Sequence, residues 1–451
     1  SRLPNRLSFH LNVYTRKEIF RISLPIMLSL LAQNLIQVID TAFLGRVGEV
    51  ELGASALAGI VYIAFFTLGF GFSMGSQIMI GRRNGERNFN QIGGIVIQGL
   101  VFLLTLAVIL IPIFKILSPI VLPKFFSSEN VTVAVIEYLD WRVYGFVFSF
   151  TNSIFRAFFV GIARTKVLTM NAVVMALVNI FFDYGLIFGN LGMPEMGIGG
   201  AALASVIAEA SSTLFFLIYL IKTIDLEKYG FRRIKWKWAV TGKVLSISVY
   251  MMVQYMLSVS TWMMFFVFIE RLGERPLAVS NIVRSFNNLF TIPSAALGSV
   301  ANTLVSNTIG ANRSDEVPVL VKRIASMSFG IMVIVMFLAL AFPELVARTY
   351  TDDPSLISDT ITPLYVLVLS LPFFSVGTVL FSAVSGTGNT KRALTFEVFT
   401  LSFYLFYIWL IISHLKLSVA WAWTSELLYW TFLTVLSYFY LIKGKWKNKQ
   451  I

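Results

Sequence analysis

The chain has 451 residues, of which 57% are hydrophobic and only 13% charged, with a net charge of +13. A soluble domain carries roughly 25% charged residues, so this composition excludes a water-soluble body. The basic residues sit in short segments between apolar runs, a pattern of membrane topology rather than of nucleic-acid binding. With no cysteine, the chain has no disulfide, thiolate metal site or cysteine nucleophile.

A bilayer-spanning helix needs about 20 mostly apolar residues. Such runs predict helices over 22–44, 56–80, 92–117, 137–161, 167–188, 198–221, 244–269, 279–307, 319–342, 360–384, 394–414 and 419–442. Barrel strands are excluded, because those are about 10 residues long with strict alternation. The first run follows Arg16, Lys17 and Arg21. It is too long for a signal-peptide core and has no small-residue cleavage site, so it reads as a retained first span. The one sizeable hydrophilic connector, 222–243, is basic, with Lys222, Lys228, Arg232, Arg233, Lys235, Lys237 and Lys243. It separates an N-lobe, 1–221, from a C-lobe, 244–451.

Lys and Arg set orientation. Of the 36, 27 fall in the N-terminal segment, the even-numbered loops and the C-terminal segment, against 7 in the odd-numbered loops. Both termini are therefore expected in the cytoplasm, with the chain in the inner membrane.

The halves repeat at a shift of 225 residues. That shift lays Val47-Gly48-Glu49-Val50-Glu51-Leu52 on Leu272-Gly273-Glu274-Arg275-Pro276-Leu277, and Gly85 on Gly310. It also carries Gly161, Thr165 and Lys166 onto Gly386, Thr390 and Lys391, and Ile136, Leu139, Val143 and Phe148 onto Ile361, Leu364, Val368 and Phe373. Each half holds six helices, so the repeats are parallel and pack about an axis along the membrane normal, with substrate at their interface. The fold class is an all-α membrane protein of twelve helices in two six-helix lobes.

Ionisable groups inside hydrocarbon cost about 2.5–3.5 kcal/mol or more and mark function. Gln33, Gln37 and Asp40 share one face of the first helix, and Asn171, Asn179 and Asp183 one face of the fifth. Asp40 and Asp183 each fall roughly 8 Å below the outer boundary at 1.5 Å per residue. Two carboxylates meeting there, with Asn179, bind a proton, or Na⁺ with help from the Asn179 carbonyl oxygen. The alternative is that one acid faces an aqueous funnel or pairs with Arg142. Glu209, with Ser205 and Ser212 on its face, reads equally as cavity lining or as a structural hydrogen-bonded group. Asp140 and Arg142 read as interfacial. Arg284, Asn287 and Asn288 are candidates for a polar lining of the second lobe or for helix packing. Met251, Met252, Met256, Met263 and Met264 read mainly as lipid contact or packing, and Pro25, Pro293 and Pro372 as kinks. His10 and His414 are the only histidines, and no hydrolase, metalloprotease or ATP-binding motif is present. The chain is thus not read as an enzyme; no cofactor is expected beyond a coupling ion, and no nucleic-acid partner.

The sequence resembles the multidrug and toxic compound extrusion (MATE) family over nearly its whole length. The resemblance rests on Gln37-Val38-Ile39-Asp40-Thr41 with Gly45, on Asn84-Gly85-Glu86 and Ile309-Gly310-Ala311, and on Gly386-Thr387-Gly388-Asn389-Thr390-Lys391. It rests also on Asn179-Ile180-Phe181-Phe182-Asp183 and Gly197-Ile198-Gly199-Gly200-Ala201-Ala202-Leu203-Ala204. The resemblance implies a V-shaped cavity between two lobes and an antiporter. Such a protein exports small cationic or amphipathic compounds, antibiotics included, against H⁺ or Na⁺ by alternating access. Asp40, Asn179 and Asp183 look like the N-lobe cation site of the DinF-like branch, which the resemblance extends to Asn152. The NorM-like branch adds acids in helices seven and ten; here neither carries one before Glu270, so coupling is expected in the N-lobe alone. A monomer is expected. A flippase of lipid-linked saccharide is the alternative, and an intramembrane lipid enzyme a more distant one.

Overall fold

The computed structural model describes residues 13–126 and 128–451; Arg2, Arg6 and His10 lie outside them. All twelve expected spans are present: α1 (Arg16–Val47), α2 (Glu49–Gly85), α3 (Ile92–Val121), α4 (Glu129–Arg142 continued by Gly145–Gly161), α5 (Lys166–Phe188) and α6 (Gly197–Thr223) form the first six. The second six are α7 (Trp238–Glu270), α8 (Glu274–Phe290 continued by Ile292–Gly310), α9 (Val317–Ala341), α10 (Pro354–Gly386), α11 (Thr390–Trp409) and α12 (Val419–Lys443). Among the described residues there is no strand. Lipid leaves backbone groups no outside partner, so helices are the open chain's one way to cross.

Two spans are bent. α8 turns by 48° between Phe290 and Ile292. Pro293, at the start of its second half, cannot donate to the preceding turn. α4 turns by 53° between Arg142 and Gly145. No proline stands there, and the sequence predicted one straight span beginning at residue 137. The helix instead begins at Glu129, with Ser128 accepting from the Val131 amide at its N-terminus.

The repeat is visible atom by atom. Thr165 Oγ1 donates to the Ile22 carbonyl at 2.7 Å, and Thr390 Oγ1, 225 residues on, to the Ile247 carbonyl at 2.8 Å. Where the lobes meet, α2 crosses the second half of α8 and repeat mates face each other. Gln77 donates to its own mate Asn302 at 3.2 Å and to Thr303 at 3.0 Å, and Ser306 Oγ donates to the Ile78 carbonyl at 2.6 Å. A β-carbon on Gly85 would lie 1.9 Å from the Asn307 carbonyl oxygen, and one on Gly310 2.2 Å from that of Arg82. Gly85 and Gly310 are mates, as are Arg82 and Asn307, so the contact is reciprocal, as about a two-fold axis. Only glycine lets the two backbones approach this closely, the usual device of helix association in a membrane.

This crossing lies toward the basic face, with the loops after α2, α6 and α8. Arg82 closes it further, donating to the carbonyls of Lys449 and Thr387 at 2.8 and 3.0 Å. One apolar core runs through both lobes there. A separate cluster, around Phe265, Ile269, Phe286, Leu364 and Trp423, fills the C-lobe toward the opposite face. The lobes are joined at the basic face and part toward the other, which is an outward-open arrangement if the basic loops are cytoplasmic.

Gly85→Ala should therefore force the crossing apart and lower stability by about 1–3 kcal/mol, the usual cost of overpacking. Gly94→Ala on α3, whose β-carbon meets nothing within 4 Å, should not. Thermal unfolding of the two purified variants in one detergent checks this.

Candidate cation site and cavity

A cavity of about 390 Å³ opens within the N-lobe, lined by residues of α1, α2, α4, α5 and α6. Gln33, Gln37, Asp40, Asn152, Asn171, Asn179 and Glu209 all line it. The helical spacings read from the sequence explain this, since i, i+4, i+7 positions form one stripe. Asp183 lies behind Asn179 on α5, fully buried. The Asp40 and Asp183 carboxyl groups come within hydrogen-bonding reach of each other. Asn179 sits between them. With both acids ionised its neighbours are acceptors, and the amide is satisfied with Nδ2 toward them, 2.9 Å from Asp40 Oδ1 and 3.2 Å from Asp183 Oδ2. Asp183 Oδ1 is buried with no hydrogen-bond partner.

Arg142 does not pair with either aspartate. Its guanidinium holds the Glu209 carboxylate through two bonds, of 2.8 and 2.7 Å, and lies over the Tyr62 ring 3.9 Å from its centre. Nor is Arg142 interfacial: its side chain is 12% exposed. The bend in α4 turns it inward, and Gly145 makes the space, because a β-carbon there would lie 2.2 Å from Arg142 Nη1 and 2.7 Å from Glu209 Oε2. Asp140, one turn-face away, stays half exposed beside Lys115 at 3.8 Å. The remaining polar lining is tied to α6: Asn152 Nδ2 donates to the Glu209 carbonyl at 3.0 Å, and Asn171 Nδ2 to Ser212 Oγ at 2.8 Å.

Arg284 and Asn288 are not part of this site. Arg284 lies over the Phe266 ring at 4.9 Å, and Asn287 and Asn288 line a second cavity of about 290 Å³ in the C-lobe. Sequence reasoning missed three ionisable groups. Arg156 lines the N-lobe cavity; Glu426 lines the C-lobe cavity and Glu397 lies buried beside it. Each falls inside an apolar run, which is the signal that finds them.

A family model, MatE, matches residues 25–185 and again 251–410, once in each lobe. The chain belongs to the MatE family. As a MatE protein it is a multi-pass membrane transporter and not an enzyme. Relatives include the "Probable multidrug resistance protein NorM" of Thermotoga maritima, 24% identical over 97% of this chain and 94% of that protein. The "Probable multidrug resistance protein YoeA" of Bacillus subtilis is 23% identical over 95% and 93%. Among solved structures, an "outward-facing conformation of a multidrug resistance MATE family transporter of the MOP superfamily" matches with a TM-score of 0.88 at 17% identity, covering 96% of this chain and 97% of that one. A MOP superfamily transporter from Pyrococcus furiosus, whose structure is described under "reverse polarity of binding pocket suggests different function", matches with a TM-score of 0.87 at 17% identity, covering 96% and 97%. These two likenesses establish the fold of this MatE protein.

Removing one partner of a buried ion pair leaves an uncompensated charge, at a cost of about 3–5 kcal/mol. Glu209→Ala should thus destabilise the MatE protein strongly, and adding Arg142→Met should recover most of the loss. A double-mutant cycle on unfolding stability in detergent measures it.

Proposed function

We propose that this protein is a cation-coupled exporter of small cationic or amphipathic compounds, working by alternating access as a monomer in the inner membrane with both termini cytoplasmic. The observation that carries the reading is the cluster of Asp40, Asn179 and Asp183 at the wall of the N-lobe cavity. A half-buried and a fully buried carboxyl group within reach of each other, with no basic side chain among the described residues ion-paired to either, are most easily accommodated when they share a counterion. The names of the relatives favour drug-like cargo.

The counterion we favour is a proton. A hard metal cation such as Na⁺ is held by several oxygen ligands at once. Here the described residues contain no cluster of three acidic or histidine side chains, so a metal ion would find only the two carboxyl groups and one amide. A proton needs only the two carboxyl groups. In the cycle, substrate is taken up in an inward-open state and released from the outward-open one, while a proton binds Asp40 and Asp183. Binding that favours one state shifts the equilibrium by its differential affinity and no more. The rival reading, a flippase of lipid-linked saccharide, would favour several free cations in the cavity; Glu209 neutralises Arg142 there, which leaves Arg156, over the Phe70 ring, as the one guanidinium without an ion pair among the described lining residues.

The test is efflux of the fluorescent cation ethidium from proteoliposomes with the pH and Na⁺ gradients imposed separately. Asp183→Asn should lower pH-driven efflux by ~10-fold or more, a barrier change of about 1.4 kcal/mol, while its gel-filtration profile stays that of wild type. Exchanging Na⁺ for K⁺ should change nothing. Undiminished efflux by Asp183→Asn would remove the site from the mechanism.

A further inference from the structure

Glu397 on α11 is fully buried and Glu426 on α12 nearly so. Both are deep in the membrane. Glu397 lies about 10 Å from the start of α11 at the basic face, and Glu426 about 10 Å from the start of α12 at the opposite face, at 1.5 Å per residue. No described Lys, Arg or His forms an ion pair with either. The groups facing them are hydroxyls. Tyr429 of α12 donates to Glu397 Oε1 at 2.8 Å, Tyr404 of α11 donates to Glu426 Oε1 at 3.2 Å, and Tyr255 of α7 lies in the field of Glu397. The guanidinium groups of Arg156 on α4 and Arg284 on α8 lie over the rings of Phe70 and Phe266.

Two details favour a proton on Glu397. Its Oε2 is buried with no hydrogen-bond partner. Ser258 of α7 lies against Oε1 of the same carboxyl group, yet its hydroxyl has a single hydrogen and also faces the Gln254 carbonyl at 2.9 Å. If that hydrogen goes to Gln254, the Ser258 oxygen is left as an acceptor for a protonated Glu397. The acid is also connected to the cavity: Ser258 and Tyr429, which both touch it, line the 290 Å³ space together with Glu426, Tyr404, Trp262 and Trp430. The Tyr404 and Tyr429 rings, each with its hydroxyl on one of the two glutamates, lie 5.9 Å apart. No metal-like cage is present, since the described residues hold no group of three acidic or histidine ligands.

We propose that Glu397 and Glu426 form a second proton-binding site, in the C-lobe, loaded from its cavity through the hydroxyls of Ser258, Tyr404 and Tyr429. The proposal rests on the reading of the chain as an ion-coupled exporter but uses none of the N-lobe acids. The two lobes would then each carry a proton-accepting pair, on α1 and α5 in one and on α11 and α12 in the other.

Infrared difference spectroscopy of the purified full chain in lipid nanodiscs, with the buffer stepped from acid to alkaline, reads protonated carboxyl groups without any transport substrate. In an Asp40→Asn, Asp183→Asn background a buried-carboxyl band should still titrate. Adding Glu397→Gln and Glu426→Gln should abolish it. Glu397→Asp with Glu426→Gln should restore a band at the shifted frequency of an aspartic acid, which also guards against a misfolded double variant. A background with no titrating band, a band indifferent to both glutamines, or one fixed at every pH would overturn the proposal. The last result would make Glu397 a permanently neutral structural acid. Failure here is separate from failure of the N-lobe reading, which the Asp183→Asn efflux assay decides.

Discussion

The close crossing of α2 and α8 is the contact on which the rest of the arrangement depends. Two glycines, Gly85 and Gly310, allow each helix backbone to press on a carbonyl of the other, and Gln77 with Asn302 adds a hydrogen bond between repeat mates. Lipid gives apolar side chains little reason to leave it for one another, so association in a membrane relies on such packing and on polar contacts. Because the joint is confined toward the basic face, both lobes keep their polar walls open to the space between them. Moving the joint to the other end would close both cavities.

Within each lobe the polar residues follow one rule: a group taken from water is paired or it marks a site. Arg142 and Glu209 satisfy each other, and Asn152 and Asn171 tie α4 and α5 to α6. Among the described residues, the acids Asp40 and Asp183 inside the N-lobe spans and Glu397 and Glu426 inside the C-lobe spans have no ion-pair partner. Asp40 and Glu426 line the two cavities, and Asp183 and Glu397 lie buried behind lining residues.

Much of this could be read from residue order. Run length and the Lys and Arg bias give the twelve spans, and the register of Gly85 on Gly310 and Thr165 on Thr390 gives the repeat. Helical spacing alone puts Gln33, Gln37 and Asp40 on one stripe, and Asn171, Asn179 and Asp183 on another. What could not be read depends on contacts between distant segments. The partner of Arg142 is 67 residues away, and the 53° bend that turns it inward has no proline to announce it. Helical spacing says nothing of which amide atom of Asn179 faces its neighbours. Glu397 and Glu426 were legible as acids inside apolar runs, but attention to helices seven and ten passed over them.

Apart from the Arg82 guanidinium, the joint between the lobes is held by neutral groups, an amide, hydroxyls, backbone carbonyls and glycine, with no ion pair between the helices that cross. A neutral hydrogen bond contributes about 0.5–1.5 kcal/mol net. Reversing a two-state population from 1:99 to 99:1 takes about 5.5 kcal/mol of differential affinity. A seam of a few such bonds is thus comparable in strength to what binding one or two protons can offset. Ion pairs at the same place would have made the latch sensitive to salt and harder to release. On the proposed ion-coupled reading, a latch so lightly fastened is one that the differential affinity of a bound ion can release.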